Sequence, residues 1–137
     1  MIKLIVGKKG SGKTKALIEM INNTAETAKG SVICIDKSTK LTYDIKSSVR
    51  LCDVDVYKIE GFEMFYGYVA GLLNSNYDIS DIFVDSILKI GKGDHDVVGF
   101  AELCKCLEGI LGDDITMTFT VSADKEQLPE ELYEYIV

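Results

Sequence analysis

A glycine- and lysine-rich segment near the start of the chain has the residue types and spacing that bind a phosphate chain. It reads GKKGSGKT and matches the pattern G-x-x-x-x-G-K-[ST] at each fixed position, over Gly7, Lys8, Lys9, Gly10, Ser11, Gly12, Lys13 and Thr14. Glycines let backbone N–H groups point inward as an anion-binding nest, and a helix that begins there adds its own unpaired N–H groups. We expect Lys13 to reach the β- and γ-phosphates and Thr14 to offer its hydroxyl to Mg²⁺. The motif predicts a site for a nucleoside triphosphate, with ATP as the expected ligand and Mg²⁺ as its cofactor.

Loop geometry decides whether Lys8 and Lys9 face phosphate or water, so their part in binding is a weaker expectation. A carboxylate at the end of a neighbouring strand is also needed to hold Mg²⁺, usually through a water. Two apolar runs end in such a residue, VICID at Asp36 and IFVD at Asp85. We favour Asp85, because in many P-loop ATPases the strand directly after the P-loop helix lies away from the metal. Asp36 is the alternative, so Lys13 and Asp85 are the predicted catalytic residues.

Groups that commonly accelerate hydrolysis are missing from this pattern. Ser86 stands where a glutamate usually follows the metal-binding aspartate, and a serine cannot accept the proton of the attacking water at neutral pH. Asp36, Asp124 or a residue from a partner is left open as a substitute base. Arg50 is the single arginine, so either it neutralises transition-state charge, a lysine such as Lys89 does, or nothing does. Polar residues of the predicted last strand are candidates for a γ-phosphate contact: Thr118, Thr120 and Ser122. We therefore expect slow or partner-dependent hydrolysis.

Segments typical of strands and helices alternate along the chain and must position these residues. The predicted strands are 3–6, 31–35, 81–85 and 115–121, with one or two shorter ones within 49–57. The predicted helices are 12–28, 61–74, one that follows the 91–96 loop and runs to about 111, and a short acidic one after Pro129; residues 37–48 are turn-like. Continuously apolar strands suit a parallel sheet covered on both faces. The alternation predicts an α/β protein with a three-layer α/β/α P-loop NTPase fold and a mostly parallel sheet of about five strands.

Composition and charge exclude several other classes of protein. The 137 residues are expected to form one domain, 1–137, and their net charge of −7 argues against nucleic acid as a partner, since that binding depends on neutralising phosphates. No apolar run is long enough for membrane insertion, and no signal peptide is expected, so a cytoplasmic protein is predicted. The four cysteines lack disulfide or zinc-site spacing and are expected to be reduced. A protein partner or a homo-oligomer is left open.

With these motifs, the chain resembles the small, single-domain bacterial P-loop ATP-binding proteins that are often labelled twitching-motility-type ATPases. The resemblance rests on GKKGSGKT, VICIDK, FYGYVAGLL, DIFVDSILKI and TVSAD. It implies a RecA-like parallel sheet, with Gly7 to Thr14 binding phosphate and Asp85 near the metal.

Two other functions compete with an ATP-binding protein that hydrolyses slowly. The first is a small-molecule or nucleoside kinase, although kinases on this fold usually carry an arginine-bearing lid and the 91–96 loop contains no arginine. The second is a non-catalytic nucleotide-sensing module, which Ser86 and the scarcity of arginine favour. His95 is the single histidine and is expected to be an ordinary loop residue, because no second histidine can complete a metal site.

Overall fold

Strands and α-helices alternate in the computed structural model, which describes residues 1–38, 40–93 and 95–137. The strands are β1 Ile2–Gly7, β2 Ser31–Asp36, β3 Arg50–Asp53, β4 Ile79–Val84 and β5 Thr116–Ser122. The α-helices are α1 Lys13–Thr27, α2 Phe62–Ser75 and α3 Val97–Leu111, and short 3₁₀ turns span Ile87–Lys89, Lys125–Gln127 and Glu130–Tyr135. Thr39, in the predicted 37–48 turn region, and Asp94, in the predicted 91–96 loop, lie outside the described residues.

The strands form one sheet in the order β1-β5-β4-β2-β3, and each neighbouring pair is parallel. Parallel strands bring their carboxyl ends to the same edge of the sheet. Gly7 and Asp36 end β1 and β2, and Asp85 directly follows β4, so all three lie at that edge. The last strand, β5, is inserted between β1 and β4, and its end at Ser122 therefore lies between the glycine-rich segment and Asp85.

The sheet is covered by helices on both faces, because successive side chains of a strand point to opposite sides. In β2, Ile33 and Ile35 belong to the larger core, which includes residues of α2 and α3. The alternate residues Val32 and Cys34 belong to the smaller core, which includes residues of α1. These two cores make three layers, so the predicted α/β/α fold with a parallel five-stranded sheet is confirmed.

Helix α2 packs aromatic and aliphatic side chains into the larger core. Phe65 and Val69 are fully buried, and the Phe65 ring lies 6.4 Å from that of Phe119. The C-terminal acidic segment forms the short helix that the sequence predicts, as a 3₁₀ helix over Glu130–Tyr135. Leu132 is buried there, and the N–H of Val137 donates to the carbonyl of Leu4 at 2.9 Å. The segment is therefore held by packing and by pairing with the free edge of β1.

Helix length and thiol placement agree with two further expectations from the sequence. Over the described ranges, no helix combines the length and apolar character needed to cross a bilayer. Cys34, Cys52 and Cys104 are free and buried, and Cys106 is free and exposed. Cys104 and Cys106 therefore point to different sides of α3.

Candidate functional site

The glycine-rich segment is a tight turn between the end of β1 and the start of α1. Gly10 and Gly12 have φ angles of 84° and 89°, in the left-handed region that favours glycine. A Cβ added at Gly7 would lie 2.6 Å from Ser11 Oγ, so the Ser11 side chain would have to rotate away. The turn is closed by a hydrogen bond from the N–H of Ser11 to the carbonyl of Lys8 at 3.1 Å. The backbone of the turn therefore favours glycine at Gly10 and Gly12.

Helix α1 begins without a side-chain cap, because its N-cap residue is Gly12. The N–H groups of a first helical turn have no partner within the helix, and together with the helix dipole they favour an anion. The first turn also contains no acidic residue that could take this place. The start of α1 is therefore suited to bind an external anion such as a phosphate.

The Lys13 side chain folds back over the turn instead of extending into solvent. Its Nζ donates a 2.9 Å hydrogen bond to the carbonyl of Lys8, and the residue is 9% exposed. Burial lowers the pKa of Lys13 from its ordinary value, and the negative charge of Asp85 opposes that shift. The ammonium group is thus partly dehydrated, and it lies close enough to the Asp85 carboxylate to interact with it electrostatically.

Asp85 is completely buried at the end of β4 and is held by side chains from three other segments. Thr120 Oγ1 on β5 donates to Asp85 Oδ1 at 2.6 Å, and Thr14 Oγ1 on α1 lies 3.3 Å from both carboxylate oxygens. Lys40 Nζ lies 3.7 Å from Asp85 Oδ2. The N–H of Ser86 donates to Thr120 Oγ1 at 2.7 Å, which fixes the orientation of that hydroxyl. The structure therefore brings the motif threonine and this aspartate together.

Asp36 is also buried but is bonded within its own turn. It accepts hydrogen bonds from the N–H of Lys37 at 2.7 Å and from Ser38 Oγ at 3.2 Å. Burial raises the pKa of Asp36, the bond from Lys37 opposes that rise, and the charge of Asp85 adds to it. Among the described contacts, Asp36 makes none with Thr14. Geometry therefore favours Asp85 over Asp36 as the partner of the motif threonine.

A cavity of about 1020 Å³ opens above the glycine-rich turn and is lined mainly by cationic and small residues. This volume is at the upper end of the range for small-molecule sites. The lysines that line it are Lys8, Lys9, Lys13, Lys15, Lys37, Lys40 and Lys89. Asp124 is the one acidic residue among the described lining residues, and it pairs with Lys8 at 3.8 Å. A positive cavity in a protein of net charge −7 indicates an anionic ligand.

Other residues that the sequence singles out lie at different distances from this cavity. Ser86, Lys89, His95 and Ser122 line it. Thr118 and Thr120 are 1% exposed and lie below its surface, and the Thr120 hydroxyl is committed to Asp85. Arg50 begins β3 and is not among the lining residues described.

Sequence reasoning missed three lysines that line the cavity, Lys15, Lys37 and Lys40. Lys37 directly follows β2, and its position after the apolar run VICID was the one local signal that could have found it. Lys40 belongs to the connection between β2 and β3 and carries no motif. Its side chain reaches Asp85 because β2 and β4 are neighbours in the sheet, which the sequence does not show.

The oxygen donors of Thr14 and Asp85 suit Mg²⁺, which binds few protein groups, better than they suit a metal that is held by protein side chains alone. Within the described ranges, no group of three or more His, Cys, Asp or Glu side chains could hold a metal. Mg²⁺ commonly uses one or two protein oxygens, waters and the phosphates of a nucleotide. The hydroxyl of Thr14 and the carboxylate of Asp85 fit that requirement.

Two solved structures share this fold with the chain. One is the flagellar accessory protein FlaH from Methanocaldococcus jannaschii, with a TM-score of 0.54 and 16% sequence identity over 97% of this chain and 65% of that one. The other is the pCW3 conjugation coupling protein TcpA, in a monomer form with ATPγS, with a TM-score of 0.52 and 12% identity over 98% of this chain and 46% of that one. The chain therefore spans less than two thirds of either protein.

No protein-family model matches the sequence, and no curated protein matches it. At such low identities, the structural matches establish the fold and nothing finer. They cover 97% and 98% of this chain and agree with the predicted RecA-like α/β/α fold.

Proposed function

We propose that the chain binds a nucleoside triphosphate, ATP by preference, together with Mg²⁺, and hydrolyses it slowly or only with a partner. In this proposal the segment from Gly7 to Thr14 holds the phosphates, and Thr14 and Asp85 hold Mg²⁺. Lys13 and Asp85 are the catalytic residues, the first by stabilising charge on the phosphates and the second by orienting the metal.

One observation carries the proposal. The Thr14 hydroxyl of the glycine-rich motif lies 3.3 Å from both oxygens of Asp85, beside a lysine-lined cavity. A P-loop NTPase needs this pairing of a hydroxyl and a carboxylate next to a phosphate-binding turn. The ATPγS in the TcpA structure adds support from a protein of the same fold.

Slow hydrolysis follows from the residues around the cavity. Asp85 is fully buried and bonded to two hydroxyls, so it is suited to a metal rather than to a water molecule. Among the described lining residues, Asp124 is paired with Lys8 at 3.8 Å, and Ser86 stands at the usual position of the base but cannot act as one at neutral pH. Loss of the base at that position corresponds to a rate factor of roughly 10²–10⁴.

A second candidate, a nucleotide-sensing module, is favoured by two of these features: Ser86 at the usual position of the base, and a single arginine in the chain. Binding would then change with the identity of the nucleotide while no phosphate is released. A sensing module would bind the phosphates and the metal through the same residues as a slow ATPase. It would differ only in that it does not hydrolyse the nucleotide.

Phosphate release from ATP by the purified chain, with saturating Mg²⁺, separates these outcomes. We expect fewer than about one turnover per second, which is a typical lower rate for enzymes. A faster rate without any partner would contradict slow hydrolysis. No release at all would exclude hydrolysis by the chain alone and is expected both for partner-dependent hydrolysis and for the sensing module. ADP formed without inorganic phosphate, when an acceptor is added, would instead support a kinase.

A further inference from the structure

The ammonium group of Lys40 is the direct ion-pair partner of Asp85 among the described residues, at 3.7 Å from Oδ2. The Lys40 side chain is 50% exposed, whereas that of Asp85 is 0% exposed. The lysine thus reaches inward from the cavity wall to a carboxylate that solvent does not touch. A buried carboxylate is costly unless an opposite charge or hydrogen bonds compensate for it.

Among the residues that the structure describes, no second cation forms a direct ion pair with Asp85. Thr14 and Thr120 contribute neutral hydroxyls. Lys13 is close enough for its pKa to respond to Asp85, but its Nζ donates to the carbonyl of Lys8. Lys40 therefore provides the compensating charge at the carboxylate oxygen itself.

The same oxygens are those that the proposed Mg²⁺ requires, directly or through a water. An ammonium group 3.7 Å from Oδ2 and a divalent cation at the same carboxylate repel each other. Binding of one therefore weakens binding of the other. Lys40 and Mg²⁺ are consequently competing partners of Asp85.

We propose that Lys40 is the resident counter-cation of Asp85 and competes with Mg²⁺ for this carboxylate, so that metal binding releases the Lys40 side chain toward the cavity. The inference rests on the proposed Mg²⁺ site but concerns a residue outside the glycine-rich motif. Once released, the ammonium faces the space that the lysine-lined wall offers to an anion. Lys40 is therefore a positioning residue that makes metal and nucleotide binding interdependent.

The change is confined to the Lys40 side chain, because the segment beyond it is anchored. Leu41 and Ile45 are buried in the smaller core against residues of α1. The Asn22 side chain on α1 donates to the carbonyl of Asp44 and accepts from the N–H of Lys46, both at 2.9 Å. Movement of the whole connection would break these contacts, whereas rotation of one half-exposed side chain would not.

Lys37 is a matched control, since it lines the same cavity and carries the same charge. Its Nζ donates to the carbonyl of Lys89 at 3.3 Å rather than to a carboxylate. Replacing Lys37 removes one positive charge from the wall without leaving Asp85 unpaired.

The test is thermal unfolding of nucleotide-free protein titrated with MgCl₂, against NaCl of equal ionic strength. Lys40→Gln should have a lower midpoint than wild type without Mg²⁺ and should recover it as Mg²⁺ is added. Half of the recovery should occur at about tenfold lower Mg²⁺ than any effect on wild type. Lys37→Gln should respond as wild type does, and the Lys40→Gln, Asp85→Asn double variant should lose the Mg²⁺ response.

An equal Mg²⁺ response in Lys40→Gln and wild type would overturn the inference, as would an equal response in Lys37→Gln and Lys40→Gln. Lys40→Gln protein that stays unfolded with and without Mg²⁺ would also count against it, because a competing ion must be able to replace the ammonium. The titration contains no nucleotide, so it stays informative even if the chain binds none. Nucleotide binding with no Lys40 effect would remove this inference and leave the proposed function intact.

Discussion

The hydroxyl of Thr120 donates a 2.6 Å hydrogen bond to Asp85 Oδ1 from the neighbouring strand β5. The same hydroxyl accepts the N–H of Ser86 at 2.7 Å, so one buried side chain positions both residues at the end of β4. Strand β5 therefore contributes to the site mainly by holding the Asp85 carboxylate in place, rather than by contacting a ligand itself.

Thr120→Val tests this arrangement, because it keeps the shape of the side chain and removes both hydrogen bonds. We expect a loss of about 1–3 kcal/mol in the free energy of unfolding, since a buried carboxylate and an N–H each lose a partner. Urea denaturation followed by circular dichroism measures it. Thr118→Val is the control, on the same strand and equally buried. Equal losses in both variants would show that the contact with Asp85 has no special role.

Asp85→Asn and Asp36→Asn distinguish the two candidate metal carboxylates. Asp85 lies next to the Thr14 hydroxyl, whereas Asp36 is bonded to its own turn. We expect Asp85→Asn to weaken the Mg²⁺-dependent part of nucleotide affinity about 10- to 100-fold, a range seen when groups that support a metal are removed. Nucleotide titrations with and without Mg²⁺ measure this. An Mg²⁺ effect that Asp36→Asn abolishes and Asp85→Asn spares would reverse our assignment.

Two glycine substitutions should have opposite effects on stability. Gly12 has a φ of 89°, so Gly12→Ala forces a side chain into the left-handed region at a cost of roughly 1–2 kcal/mol. Gly109 lies inside α3 with open space where a Cβ would stand, so Gly109→Ala should stabilise by about 0.5–1 kcal/mol. Urea denaturation midpoints of the two variants provide the comparison. A stabilising Gly12→Ala would mean that the turn does not need its left-handed residue.

Buried thiols predict a specific loss of stability at alkaline pH. Burial raises the pKa of both Cys34 and Cys104 from 9.0 to about 12. The two protonated thiols contribute fully to the free energy of unfolding below pH 9. This contribution is lost as pH rises toward 12, because the thiols lose their protons at lower pH in the unfolded state than in the folded state. Within this window, each thiol should steepen the fall of the unfolding free energy by about 1.4 kcal/mol per pH unit.

The slope of unfolding free energy against pH separates this effect from packing. Cys104→Ala should show a shallower decline than wild type, whatever its starting stability. Cys106→Ala should keep the wild-type slope, because the Cys106 thiol is exposed. Identical slopes in all three proteins would mean that Cys104 is not protected by burial.

Local patterns were enough to predict the layers of the fold and the residues of the glycine-rich turn. The glycine-rich turn could be predicted from a motif of eight residues, and Gly10 and Gly12 have the positive φ angles of such a turn. The buried strands could be predicted from their apolar runs. The order of the strands could not be read in this way, because pairing between β5 and its neighbours joins distant parts of the chain.

The parts of the site that depend on that pairing were correspondingly harder to predict. Lys40 carries no motif, and its proximity to Asp85 arises from the way β2 lies beside β4. Thr120 was one of three candidates for a γ-phosphate contact, and its hydroxyl is bonded to Asp85. The pairing of Val137 with Leu4 at the edge of β1 left no local sequence signal either.

Calorimetric titration of ATPγS into the wild-type chain, in the presence of Mg²⁺, tests the central claim most directly. The account predicts saturable heat for wild type and its loss in Lys13→Met, which keeps the aliphatic stem of the side chain but removes the ammonium. Circular dichroism should show that this variant is folded. Absence of heat from the wild-type chain with ATPγS and with other nucleoside triphosphates would contradict the account.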